Sequence, residues 1–131
     1  VARVNATSEV RSFGDVESAV TFMTLRFVSG ATGVFSTLFQ TAPVWFLRVS
    51  GNQGWAEIRD PHSLASRKIG GAKENLEKFA ETDIERAELE AFANAVVGRA
   101  PYPLGPDDTV HGTAVFEAVV KSVETRAPVN L

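Results

Sequence analysis

Apolar and polar positions alternate at the short period of strands in the first half of the chain and at the longer period of helices in the second. Residues 2–11 alternate weakly. Residues 18–28 form a longer run rich in β-branched and aromatic side chains, the composition of a strand. Ser29-Gly30 punctuates that run, and residues 32–41 follow as another strand, close enough that the two must pair antiparallel. Pro43 marks a break and 44–50 reads as the next strand. Gly51-Asn52-Gln53-Gly54 reads as a turn, with glycine where positive φ is expected. Residues 55–59 return, Asp60-Pro61-His62 turns the chain again, and 63–69 completes an antiparallel meander.

Residues 70–81 are polar and weakly patterned, which predicts a connecting loop. Thr82-Asp83-Ile84-Glu85 fits a capping box and predicts a helix starting at Thr82. Leu89, Phe92, Ala93 and Val96 then form one apolar stripe, while Glu85, Glu88 and Glu90 form a solvated face. Gly98, Pro101 and Pro103 end that helix. Gly105-Pro106-Asp107-Asp108 opens a second one, with proline in the first turn and acids near the positive end of the dipole. Its apolar residues occupy most of the circumference through Val123, so it should be largely buried. A short strand over 128–131 closes the chain.

Strands followed by segregated helices spell an α+β fold, a mainly antiparallel sheet with the helices packed on one face. Both parities of 18–28 carry large apolar side chains: Phe22 and Val28 on one, Met23, Leu25 and Phe27 on the other. An antiparallel sheet with one wet face would alternate apolar with polar, so the second face is expected to be an open face for oligomerisation. Phe22 and Val34 would share one face, and Met23 and Phe35 the other.

Composition narrows the function classes. The 131 residues suffice for one domain, and a net charge of −3 gives no electrostatic reason to expect a nucleic acid partner. The absence of cysteine removes disulfides, thiolate chemistry and Cys-based metal sites. No run approaches the roughly 20 apolar residues needed to span a bilayer, and the N-terminus has no signal-peptide pattern. The expectation is a cytoplasmic location with no membrane partner. The chain begins without methionine, in what reads as a strand, and so reads as one domain of a longer protein.

Four blocks carry a resemblance. They are the stretch from Leu25-Arg26-Phe27-Val28 to Gly33, then Gly51-Asn52-Gln53-Gly54-Trp55-Ala56-Glu57-Ile58, then Glu88-Leu89-Glu90-Ala91-Phe92-Ala93-Asn94-Ala95-Val96, and finally Asp108-Thr109-Val110-His111 through to Ser122 after a Pro-Tyr-Pro break. In this order and spacing they resemble the C-terminal domain of the Gfo/Idh/MocA oxidoreductases. Arg126 departs from the pattern, standing where the family usually places a glycine at the last helix cap.

The resemblance implies a two-domain enzyme that acts by hydride transfer on sugars, inositols and related hydroxy compounds. An N-terminal Rossmann domain would hold NAD or NADP, and residues 1–131 would shape the substrate cleft and build a homo-oligomer. The family's catalytic lysine, in a Glu-Lys-Pro motif, and its aspartate and histidine all precede the first strand seen here. The resemblance therefore assigns no catalytic residue to this sequence.

The residues agree on that absence. Gly51-Asn52-Gln53-Gly54 joins two strands rather than a strand and a helix, so it lacks the context of a dinucleotide-binding loop. Asp107 and His111 match the family's catalytic D-x-x-x-H spacing and share one helical face, but they open a helix after Gly-Pro, where acids serve the helix end. His62 sits in a turn, and two histidines in unrelated segments do not make a structural metal site. Trp45, Phe46 and Trp55 read as core and interface, or as one ring lining a sugar cleft. No catalytic, cofactor-binding or metal-binding residue is assigned, and a full-length parent would supply NAD or NADP. A stand-alone dimeric α+β small-ligand-binding or structural module is the alternative.

Overall fold

A computed structural model describes residues 1–13, 16–39 and 41–131, without the side chains of residues 11, 13 and 16–18. The strands are β1 (Arg3–Phe13), β2 (Val16–Arg26), β3 (Thr32–Leu38), β4 (Leu47–Gly51), β5 (Gly54–Asp60), β6 (Ser63–Lys68), β7 (Asn75–Lys78) and β8 (Val129–Asn130). The helices are α1 (Ile84–Val96) and α2 (Pro106–Thr125). The α+β expectation holds. Gln40, inside the expected strand over 32–41, lies outside the described residues.

The expected single meander is instead two antiparallel four-stranded sheets, in the orders β3-β2-β1-β8 and β4-β5-β6-β7. Residues 39 and 41–46 belong to no strand, and Pro43 among them has no N–H to give to a ladder. The loop expected over 70–81 contains β7, paired with β6 in the register Leu64↔Glu77 and Ala65↔Leu76. Its Glu and Lys side chains hid it. Charges of this kind are what an edge strand carries to resist further pairing.

The chain divides into two compact units, residues 1–41 with 103–131, and residues 42–102. In the first, α2 packs on one face of the first sheet. Val4 and Ala6 from β1 meet Ala118, with Met23, Leu25, Val115, Val119, Val123 and Val129 packed around them. Register places Met23 opposite both Ala6 and Phe35, so Met23 and Leu25 of β2 stand on the covered face. The other face is less apolar than expected. Phe22, Val34 and Leu38 are exposed on it, but Arg3, Asn5, Thr24, Arg26, Thr32 and Ser36 share it.

Ser122 fastens the helix to the sheet. It is fully buried; its Oγ accepts from the Ala6 N–H at 2.9 Å and donates to the Ala127 carbonyl at 2.8 Å. β8 pairs with β1 only at Arg3 and Val4, so the serine takes over where that ladder stops. α2 then ends on Arg126, whose φ of 53° is the left-handed conformation that glycine adopts most cheaply. The fold accepts the departure from the family pattern at that cap.

In the second unit, Asp83 rather than Thr82 caps α1, its side chain accepting from the Arg86 N–H at 2.9 Å. Thr82 Oγ1 donates back to the Ala80 carbonyl instead. α1 buries none of its residues. Leu89, Phe92 and Val96 of its apolar stripe are all exposed, and the packing of this helix on a sheet, expected from its pattern, is not seen among the described residues. Tyr102 holds the end of the Pro-Tyr-Pro break against α1. Its ring meets Phe92 edge-on at 5.8 Å, and its hydroxyl donates to Glu88 Oε1 at 3.0 Å. That carboxylate pushes the phenol's pKa up.

Candidate functional site

The second sheet positions a connected polar constellation. A two-residue loop, Asn52-Gln53, closes the β4–β5 hairpin between Gly51 and Gly54, and this register sets Arg48 opposite Glu57 and Ser50 opposite Trp55. Side chains two apart share a face, so Trp55, Glu57 and Arg59 line up on β5 beside Arg48 on β4. Gly54 is required for this. Its φ is +144°, and a Cβ there would lie 2.0 Å from the Arg67 carbonyl oxygen on β6.

Glu57 is the centre, with only 7% of its surface exposed. Its Oε2 accepts from Arg48 Nε at 2.6 Å and its Oε1 from Arg59 Nε at 2.5 Å. Arg59 turns its two terminal nitrogens to Glu74 in a bidentate pair at 2.9 and 2.8 Å. The Arg48 guanidinium lies 4.8 Å from the centre of the Trp55 ring, a cation–π contact. The Arg59 hydrogen bond first, and then that of Arg48, holds the Glu57 carboxyl below its ordinary range. Glu74 and then Glu57 hold Arg59 the more firmly charged.

Val44, Trp45 and Phe46 flank this ladder, and together with Arg48, Glu57 and Arg59 they line an open hollow of about 390 Å³. Trp45 and Phe46 are 61% and 64% exposed, so the expectation of core packing fails for both. Trp55 is half-buried under Arg48. An apolar rim beside fixed charges suits a ligand with a flat hydrocarbon face and hydroxyls at its edge. A carboxylate held ionised by two arginines is suited to orienting a hydroxyl and poorly suited to giving up a proton near neutral pH.

Arg48, Arg59 and Glu74 belong to no motif of the sequence, and Glu57 enters only within the block Gly51–Ile58. The available signal was the hairpin register, since any turn that pairs Gly51 with Gly54 also pairs Arg48 with Glu57. The residues that were weighed do not assemble. No hydrogen bond joins Asp107 to His111 among the described residues, and His111 Nε2 lies 2.8 Å from the Val1 amino nitrogen. His62 donates its backbone N–H to Asp60 Oδ1 within a turn. Ser63 Oγ and that backbone N–H hold the Asp60 carboxyl below its ordinary range. Gly51–Gly54 closes a hairpin and opens no helix, so these residues do not fit a dinucleotide. Among the described residues no helix is long and apolar enough to cross a membrane, and no three His, Asp or Glu side chains gather to hold a metal ion.

Comparison with known proteins adds to this geometry. The C-terminal alpha/beta domain of the Gfo/Idh/MocA oxidoreductase family matches residues 2–131. The aldose-aldose oxidoreductase of Caulobacter crescentus, solved with glycerol, superposes with a TM-score of 0.79 at 24% identity, over 99% of this chain and 41% of its own. A proposed NADPH-dependent oxidoreductase of Desulfitobacterium hafniense gives 0.78 at 23% identity, over 98% and 42%. An oxidoreductase of Agrobacterium radiobacter, in complex with NAD+, L-tartaric acid and magnesium, gives 0.76 at 16%, over 99% and 43%. At these identities the likeness shows the fold, and the chain spans about two fifths of the length of each of these proteins. Among curated proteins, none matches the sequence.

Proposed function

The chain belongs to the Gfo/Idh/MocA oxidoreductase family as its C-terminal α/β domain, and on that premise we propose that it supplies the substrate-cleft wall and the oligomer interface of an NAD- or NADP-dependent dehydrogenase. The substrate class is a sugar, an inositol or a related hydroxy compound. The observation that carries this reading is the match of a single domain type over residues 2–131. On this reading the nicotinamide and the catalytic groups belong to a Rossmann domain elsewhere in the full-length protein, in the cytoplasm.

Within this chain the hollow beside Trp45 and Phe46 is the wall of the substrate cleft. An aromatic face stacks on the C–H face of a sugar ring, while the Arg48–Glu57 pair meets its hydroxyls. The glycerol and tartaric acid bound to two of the similar structures are polyhydroxy compounds in keeping with that chemistry.

The oligomer forms through the apolar face of the second sheet rather than that of the first. Leu47, Val49 and Ile58 are exposed there. Register sets Leu47, Ile58 and Leu64 in one row, Val49, Ala56 and Ser66 in the next, and Gly51, Gly54 and Lys68 in the third. A two-fold axis across the strands lays the bulky row of one copy over the glycine row of the other. Such an interface is self-complementary in shape.

Expression of the complete open reading frame tests the proposal. The purified protein should reduce NAD+ or NADP+ with an aldose, inositol or hydroxy acid, and Trp45→Ala should raise KM for that substrate. Val49→Glu should reduce the sedimenting mass to that of a folded monomer. A protein that binds neither nicotinamide overturns the dehydrogenase reading, and one that is monomeric at high concentration overturns the interface.

A further inference from the structure

The first sheet holds a second feature, unrelated to the Trp45 hollow. On the face that α2 leaves uncovered, Arg3 of β1 lies directly opposite Arg26 of β2. Asn130 flanks Arg3 on β8, and Thr32 flanks Arg26 on β3. The next row holds Asn5 opposite Thr24. This corner of the sheet thus gathers polar residues from four strands around two arginines at facing positions. Arg3, Asn5, Thr24, Arg26, Thr32 and Pro128 line a hollow of about 230 Å³ there.

The pair is anomalous in charge. Cross-strand partners sit about 5 Å apart at Cα, and like charges in that position repel. Acids answer three other arginines, as Glu57 and Glu74 answer Arg48 and Arg59 and as Glu90 answers Arg86. Among the described residues neither Arg3 nor Arg26 has an ion pair. The nearest carboxylate along β1 on that face is Glu9, six residues and therefore roughly 20 Å from Arg3. That is about twice the distance over which surface charges act at physiological salt. In a chain of net charge −3, two cations held together without an ion-paired acid among the described residues leave room for an anion from outside.

We propose that Arg3 and Arg26 form a binding site for a phosphoryl group, with the Thr24, Thr32 and Asn5 side chains completing its hydrogen bonds. A dianion balances both positive charges, whereas a monocarboxylate balances one and leaves a net charge on the pair. Guanidinium forks and hydroxyls match the tetrahedral oxygens of phosphate. The phosphoryl group comes either as free phosphate or as the ester of a sugar.

Titration calorimetry of the chain with inorganic phosphate, glucose 6-phosphate and acetate at constant ionic strength tests this. Saturable binding of phosphate or its ester, with acetate much weaker, is the expected result. Tighter binding of glucose 6-phosphate than of phosphate identifies the ester, and equal binding identifies the free ion. Arg26→Gln should weaken phosphate binding about tenfold or more. In low-salt buffer without phosphate, its Tm should equal or exceed that of the unaltered chain, because the repulsion is gone. Arg3→Gln is the second variant should Arg26→Gln fail to fold. The Arg3 and Arg26 side-chain N–H resonances of the unaltered chain should shift on phosphate addition, a readout needing no variant. The proposal is overturned by absence of saturable binding, by binding that Arg26→Gln leaves intact, by a lower phosphate-free Tm, or by Arg variants that dissociate an oligomer without touching phosphate binding.

Discussion

Ser122→Ala should be among the most damaging single-atom deletions in the first unit. The change removes one oxygen from a fully buried site. It orphans the Ala6 N–H, held at 2.9 Å, in the middle of the α2–β1 contact, and a buried unsatisfied donor costs about 1–3 kcal/mol. The Ala127 carbonyl, held at 2.8 Å, loses its partner too, but it lies nearer solvent and water can replace much of that bond. Alanine's better helix propensity returns roughly 0.5 kcal/mol. The balance is a loss of about 2 kcal/mol, which for a unit of this size lowers Tm by roughly 8–16 °C. Circular dichroism at the helix band follows the transition, since α2 is the longer helix. Both tryptophans lie in the other unit and would miss it. Hydrogen exchange at the Ala6 amide gives the local reading and should lose its protection. Thr113→Ala, an exposed hydroxyl deletion on the same helix, should stay within about 0.5 kcal/mol. If Ser122→Ala matches Thr113→Ala in Tm and the Ala6 amide stays protected, Ser122 does not fasten the helix.

Three further outcomes follow from the second sheet. The Glu57 carboxyl is held below its ordinary range when folded, so its contribution is complete above the unfolded value, roughly 4.3, and is lost as pH falls through the lower folded value. Glu57→Gln should therefore melt lower than the unaltered chain at neutral pH, with the difference closing in acid; melting curves taken down through that range check it, and a constant gap would refute it. Gly54→Ala should cost about 3 kcal/mol or more, because its Cβ would meet backbone atoms of Arg67 and Lys68 that cannot step aside. Gly51→Ala, with nothing within 4 Å, should be neutral or slightly stabilising, and Trp55 fluorescence in denaturant compares the two.

Local chemistry was legible from the sequence alone. Strand runs rich in β-branched residues, the Gly51–Gly54 turn, the proline-opened α2 and the apolar stripe of α1 are determined by neighbours a few positions apart, and the expected elements follow them within a few residues. The family was legible as well, because its blocks keep their order and spacing across the chain. The short polar strand β7 was not legible, since Asn75–Lys78 becomes a strand only by pairing with β6. Nor was the division into two sheets, because a periodic pattern says which residues face one way and not which strand lies alongside. The same limit hid the two charge constellations. Arg48 and Glu57 are nine positions apart, and Arg3 and Arg26 are twenty-three; a sequence lists such residues separately. Cross-strand register brings them together. One pair is an ion pair and the other a pair of like charges, and that difference depends on which strands the tertiary structure sets side by side.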